Sequence, residues 1–338
     1  MTHEFKQIIE EAIIAKSKGL KTVMASVVDL DGSSYRRPGV RMLILENNTM
    51  IGAVSGGCVE KEVLLQSQSV FVTGEAKMMT YDGRYRLGCE GVLYILLEVL
   101  DFDTAFEVSF VNCLQARQCF EVVSNYKKQA GVFQGIGTKV KFDSGSFLLN
   151  IKNQSNLNTL VFRENMLPLF KLMIIGAEHD AVQLCKYAAL TGWEVTVVAS
   201  VSEEKSVENF DGVTSFISTT PEMLDTSKID NQTAILLMTH NFANDLRYLV
   251  ALENTTPNYI GILGPTKRRE DLLAQFLEYC PDISEAFLES IHGPAGLNIG
   301  SETPQEIAIS IIAEILTFTR KRNPIPLSKK VGNIHAKH

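Results

Sequence analysis

Apolar residues recur at helical spacing at Phe5, Ile8, Ile9, Ala12 and Ile13 and are followed by Gly19, which predicts an opening amphipathic helix. Segment 22–29 is β-branched and apolar and reads as a buried strand. Segments 41–45 and 49–54 read as a hairpin around Glu46-Asn47-Asn48. A helix is predicted over 59–67, with Val59, Val63 and Leu64 on one face, and strands over 76–81 and 92–100. Segment 104–118 has the pattern of a helix. From 120 to 162 the chain turns to short β-like runs broken by Gly131, Gly135, Gly137 and Gly145.

The pattern then changes to strand–helix alternation. An apolar strand at 171–175, the turn Gly176-Ala177-Glu178-His179-Asp180-Ala181, a helix at 182–190 and a strand at 194–198 form a β-α-β unit of Rossmann type. Further strands at 234–238 and 259–263 end in Thr239-His240-Asn241 and in Gly264-Pro265-Thr266-Lys267-Arg268-Arg269. In a parallel sheet all these turns lie at the carboxyl edge, where ligands bind. Thr266 is expected to cap the next helix, and Lys267 and Arg268 in its first turn oppose the helix dipole, a placement that fits an anion. Thr303-Pro304-Gln305-Glu306 is a capping box that opens a last helix. The fold class is therefore α/β, with a mixed α/β domain over 1–103, a helix and β-rich connecting region over 104–167, a Rossmann-like parallel-sheet domain over 168–330 and a tail over 331–338.

Composition narrows the function. The 338 residues are 45% hydrophobic, enough for two cores, and 32 Lys and Arg against 39 Asp and Glu give a net charge of −7. That balance argues against a general nucleic-acid or anionic-membrane binder. No stretch approaches the roughly 20 apolar residues needed to span a bilayer, and the first residues carry no signal-peptide core, so a cytoplasmic protein is expected. The six cysteines are then thiols, and no zinc-type spacing joins them.

The chemistry concentrates around Gly52-Ala53-Val54-Ser55-Gly56-Gly57-Cys58-Val59-Glu60. Cys58 falls at a predicted helix N-terminus, where main-chain N–H groups favour a thiolate or a bound anion. Cys89, within Gly88-Cys89-Glu90-Gly91, is a second cysteine beside glycine at a strand junction, and Arg36, Arg37, Arg41, Arg84 and Arg86 lie in the same loops. Thiols of this kind meet soft metals, accept sulfur or act as nucleophiles, and arginines hold phosphate or carboxylate. The competing reading is two buried thiols beside a solvated basic loop. In the Rossmann-like part, Glu178 occupies the place of the second glycine of Gly-x-Gly-x-x-Ala. Ala199 and Ser200 stand where an acidic residue would hold a ribose, so both positions weigh against conventional dinucleotide binding.

With these motifs the chain resembles, over nearly its whole length, the XdhC/CoxI family of xanthine dehydrogenase accessory proteins. The resemblance rests on Gly32-Ser33-Ser34, Pro38-Gly39-Val40-Arg41-Met42, Ser55 to Glu60, the Cys89 turn, Gly176 to Ala181, Thr239-His240, Tyr259 to Gly264 and Ile291-His292-Gly293-Pro294. It implies an XdhC/CoxI-type first domain and a maturation factor. Such a factor binds molybdenum cofactor transiently in its molybdopterin form, shelters it while a cysteine desulfurase adds the terminal sulfur, and inserts it into an apo xanthine dehydrogenase-type enzyme. Carried over by motif, Cys58 and Cys89 are the expected metal contacts, with Arg37, Arg41 and Lys267 as anion anchors. Gly56, Gly57, Glu60, Gly176, His179, His240 and Gly264 complete the expected cofactor-binding set. A non-catalytic chaperone and a homodimer are expected. The rivals are an NAD(P)-dependent oxidoreductase with a degenerate nucleotide site and a sulfur carrier holding a persulfide on Cys58 or Cys89.

Overall fold

The computed structural model describes residues 2–32, 37–83, 91–151 and 158–331, and of Cys58 the main chain alone. The chain divides into two compact units, Met1–Pro168 and Leu169–His338. The expected tail lies outside the described residues except for Val331.

The first unit opens with α1 (Thr2–Ser17) and continues through β1 (Thr22–Asp31), β2 (Arg41–Leu45), β3 (Met50–Gly52), α2 (Cys58–Thr73), β4 (Lys77–Asp82) and β5 (Val92–Val99). α3 (Thr104–Gln115), β6 (Phe120–Tyr126), β7 (Gly131–Val132), β8 (Gly137–Phe142), β9 (Gly145–Leu148) and β10 (Leu160–Met166) follow. One sheet has the order β3-β2-β1-β5-β4-β7 and the other β10-β6-β8-β9, with antiparallel neighbours in both. β1 is buried without a break from Thr22 to Val28 because both of its faces are covered. Val23, Ala25 and Val27 pack under α2 with Val59, Val63 and Val70, while Met24 and Leu43 on the other face join α1. The segment 104–167, expected as a connection, shares this second core: Phe106, Phe110, Phe120 and Phe142 pack with Phe5 and Ile9.

The second unit runs through β11 (Lys171–Ile175), α4 (His179–Leu190), β12 (Glu194–Ala199), β13 (Ser215–Ser218), β14 (Thr233–Leu237) and α5 (Phe242–Ala251). It ends with β15 (Tyr259–Ile262), α6 (Thr266–Tyr279), α7 (Glu285–Glu289), β16 (Ile291–His292) and α8 (Pro304–Thr319). Its sheet is parallel, in the order β13-β12-β11-β14-β15-β16, which is the doubly wound Rossmann order. Alternate residues divide between the two faces. Leu172 and Ile174 pack with α4 and α8, whereas Met173 and Ile175 pack with α5 and α6. No helix among the described residues is long and apolar enough to cross a membrane.

Candidate functional site

In the first unit the cysteine turn lies at one edge of the six-stranded sheet. β1 and β4 both end beside the start of β5, since Asp31 and Asp82 pair with Val92, and β3 leaves the sheet at the same edge through Gly52, opposite Met42. Segments 32–40, 53–57 and 83–91 therefore start from a common edge. α2 begins at Cys58, one residue earlier than its apolar pattern predicts, and ends in a left-handed Gly74. Gly57 has φ +118°, which only glycine adopts without strain. No heavy atom of the described residues would lie within 4 Å of a Cβ at Gly56 or Gly57, and both glycines are exposed among those residues. Glu60 is 8% exposed and turns inward: Oε1 accepts the Ser55 N–H at 2.7 Å and Oε2 the Gly57 N–H at 2.5 Å. The sequence expectation of a ligand at Glu60 thus meets a carboxylate engaged with the turn itself.

The flanking residues differ from one another. Cys89 lies outside the described residues, with Arg84, Arg86, Gly88 and Glu90, as does Arg36. The ends of that segment are joined, Gly83 donating to the Gly91 carbonyl at 3.0 Å. Arg37 is half-buried, and its carbonyl accepts the Val40 N–H at 3.4 Å. Arg41, an expected anion anchor, is buried, and its Nε and Nη2 have no hydrogen-bond partner among the described residues. It is 5% exposed, and its Nη1 donates to the Gly39 carbonyl and to Glu164 Oε2.

A cluster that sequence reasoning missed stands at the same edge. Tyr126 Oη donates to Asp29 Oδ2 at 2.5 Å, Tyr94 Oη to Asp31 Oδ2 at 2.9 Å, and Lys128 Nζ reaches Asp31 at 2.6 Å and Asp29 at 3.2 Å. A bulge between Val27 and Asp29 sets how these carboxylates leave the strand. The Lys128 and Tyr94 hydrogen bonds lower the Asp31 pKa, and the two carboxylates raise that of Lys128. Burial, then the bond to Asp29, raises that of Tyr126. The only sequence signal was the Asp-x-Asp at the end of the strand, which carries no partner information.

In the second unit a cleft of about 380 Å³ lies outside the carboxyl ends of β11 to β14, lined by residues that include Gly176, Glu178, Ser202, Thr219, Thr239 and Arg247. Gly176 has φ +126°, and a Cβ there would lie 2.3 Å from the Met238 carbonyl oxygen, so close strand packing alone requires glycine. Glu178 is exposed in extended conformation just before α4, and its side chain makes no cap bond. His179 opens α4 and is exposed. A second cavity, of about 220 Å³, brings His240 and Gly264 together with Arg268 rather than the exposed Lys267. Arg268 Nη2 donates to Asp245 Oδ2 at 2.7 Å, and the other oxygen of Asp245 accepts Thr239 Oγ1 at 2.7 Å. Pro265, not Thr266, precedes the first turn of α6, and Thr266 is already helical. His292 stacks on Tyr259 at 4.5 Å, and burial lowers its pKa.

Three of the remaining described thiols are buried and unsuited to chemistry, whereas Cys119 is exposed. Burial pushes Cys113 and Cys185 up to about 11, and burial with a hydrogen bond to Glu253 pushes Cys280 up to about 12. Among the described residues no group of three His, Cys, Asp or Glu side chains is placed to hold a metal ion.

Comparison with known proteins finds matches in both units. The model of the XdhC Rossmann domain matches residues 172–315, and that of the XdhC and CoxI family matches residues 15–82. A protein of Bacillus subtilis (strain 168) described as a probable xanthine dehydrogenase subunit is 26% identical over 335 residues, covering 89% of this chain and 94% of the relative. The molybdenum cofactor insertion chaperone PaoD of Escherichia coli (strain K12) is 24% identical over 320 residues, covering 93% and 89%. A crystal structure described as a xanthine dehydrogenase from Bacillus halodurans superposes with a TM-score of 0.77 at 26% identity, over 94% of this chain and 96% of that one. Each unit is thus matched, the first by the XdhC and CoxI family and the second by the XdhC Rossmann domain, so the likeness to this family spans both.

Proposed function

We propose that this protein carries molybdenum cofactor as cargo and inserts it into a xanthine dehydrogenase-type enzyme, and that the Gly56-Gly57-Cys58 turn of the first unit receives it. The observation that carries the reading is the bare turn at the start of α2, open on its outer side and held from within by Glu60. The relatives' descriptions support the cargo and the client.

The chemistry of the turn fits such a cargo. Cys58 and Cys89 supply soft sulfur to molybdenum, and main-chain N–H groups at the start of α2, with Arg37, suit a terminal phosphate. The protein holds the cargo while a cysteine desulfurase supplies the terminal sulfur, then releases it, so the affinity is moderate. The cytoplasm is the compartment in which these thiols stay reduced. The oxidoreductase reading loses ground at Glu178, whose carboxylate stands where a pyrophosphate would approach α4.

The test is reconstitution. Apo molybdenum hydroxylase is supplied with equal cofactor, free or preloaded on this protein, and its activation is followed. Faster and fuller activation from the loaded protein supports the reading. Equal activation with and without it removes the reading.

A further inference from the structure

We infer that Glu60 is a positioning residue that fixes the cysteine turn from inside the protein, rather than a ligand of what binds there. The inference rests on the reading of Cys58 as the cargo-contacting residue and adds how that residue is held.

Gly57, just before α2, has no side chain with which to cap the helix. Glu60, three residues on, takes over from the third helical position: its two oxygens divide between the N–H groups of Ser55 and Gly57, on either side of Gly56. Both bonds are charge-assisted, and the carboxylate is nine-tenths buried, so it leaves no oxygen directed at the outer face. Gly56 itself has no left-handed φ and no neighbour that a Cβ would meet, so neither conformation nor packing demands glycine there. Among the described residues, the main chain thus lies bare on the outside and clamped on the inside. Glu62, two residues further on, provides a natural control. It carries the same charge on the same helix, but among the described residues its one side-chain partner is Gln66, at 2.8 Å.

The experiment compares Glu60→Gln, Glu60→Ala and Glu62→Gln in the full chain. Three readouts are taken: amide hydrogen exchange at residues 55–58, the alkylation rate of Cys58 by iodoacetamide, and retention of molybdenum cofactor. Glu60→Ala is expected to speed exchange at Ser55 and Gly57 about tenfold or more, and Glu60→Gln, which keeps one acceptor oxygen, at one of the two. Cys58 alkylation rises and cargo retention falls about tenfold in Glu60→Ala, while Glu62→Gln matches the wild type. Unchanged exchange and alkylation in both Glu60 variants overturn the inference, as do equal effects in Glu62→Gln. A wild type that retains no cargo removes the proposed function instead, and exchange and alkylation still decide the role of Glu60.

Discussion

Arg41 and Glu164 are 123 residues apart in the chain and joined at 2.8 Å, with Nη1 of Arg41 also donating to the Gly39 carbonyl at 2.9 Å. Gly39 sits against the same carboxylate, 3.0 Å from where its Cβ would be, at φ +102°. The pair ties the start of β2 to β10, so it braces the edge from which the cysteine turn leaves. Replacing Arg41 with Ala is expected to cost roughly 3 kcal/mol, the low end for breaking a buried pair because Glu164 keeps some contact with solvent. Urea unfolding followed by circular dichroism checks this. A loss under about 1 kcal/mol, typical of exposed pairs, would contradict the structural role.

Glu98 sets a pH dependence. It is fully buried on β5, with Oε2 accepting the Thr138 N–H at 2.9 Å and Oε1 unpartnered among the described residues. Burial raises its carboxyl from 4.5 to about 6, against the pull of the Thr138 hydrogen bonds and of Arg41. The folded state therefore holds this proton more tightly than the unfolded chain. Its contribution to stability is full below about pH 4.5 and is lost as pH rises through about 6, a change on the order of 2 kcal/mol. Glu98→Gln keeps an acceptor for Thr138 without the titration, so it is expected to be the more stable protein at pH 7. The difference between the two proteins should shrink on acidification to pH 4.5. A difference that stays constant with pH would contradict this.

What was legible in the sequence was local. Thr303 and Glu306 form the expected capping box, the Thr303 hydroxyl accepting the Glu306 N–H at 3.3 Å and Glu306 Oε2 the Thr303 N–H at 3.0 Å. The β-α-β turn at Gly176 and the helix at Cys58 likewise follow from short-range pattern. Partners distant in sequence were not legible. Nothing local distinguishes an arginine that faces a ligand from one that meets Glu164, and nothing in Lys128 points to Asp29 and Asp31. The strands after Phe120 were visible as strands, but their sharing of a core with α1 depends on tertiary packing of phenylalanines. Glu60 had a signal that was read another way, a Glu at the third helical position, obscured because the preceding cap is glycine.

Glu178 lines the Rossmann cleft just ahead of α4. The wild-type protein is expected to gain no thermal protection from NAD, NADP or ADP. Glu178→Gly restores the second glycine and removes the carboxylate ahead of α4, and is expected to tighten ADP binding by about tenfold or more. Thermal melting with and without each nucleotide measures the first, and isothermal calorimetry the second. Micromolar binding of NAD by the wild type would put the oxidoreductase reading ahead of the chaperone reading.

The buried thiols give a control for every cysteine experiment. With pKa values of about 11, 11 and 12, Cys113, Cys185 and Cys280 should resist iodoacetamide at pH 7.5 in the folded protein and react only on unfolding. Peptide mapping by mass spectrometry reads this directly. Rapid native labelling at any of the three would contradict the packing described.

The most direct measurement is equilibrium retention of isolated molybdenum cofactor, handled without oxygen, by the wild type and by Cys58→Ala and Cys89→Ala. Saturable retention of one cofactor per chain, lost in each variant while thermal stability persists, is the expected result. Retention unchanged in both variants, or none by the wild type, would contradict a cargo site at the cysteine turn.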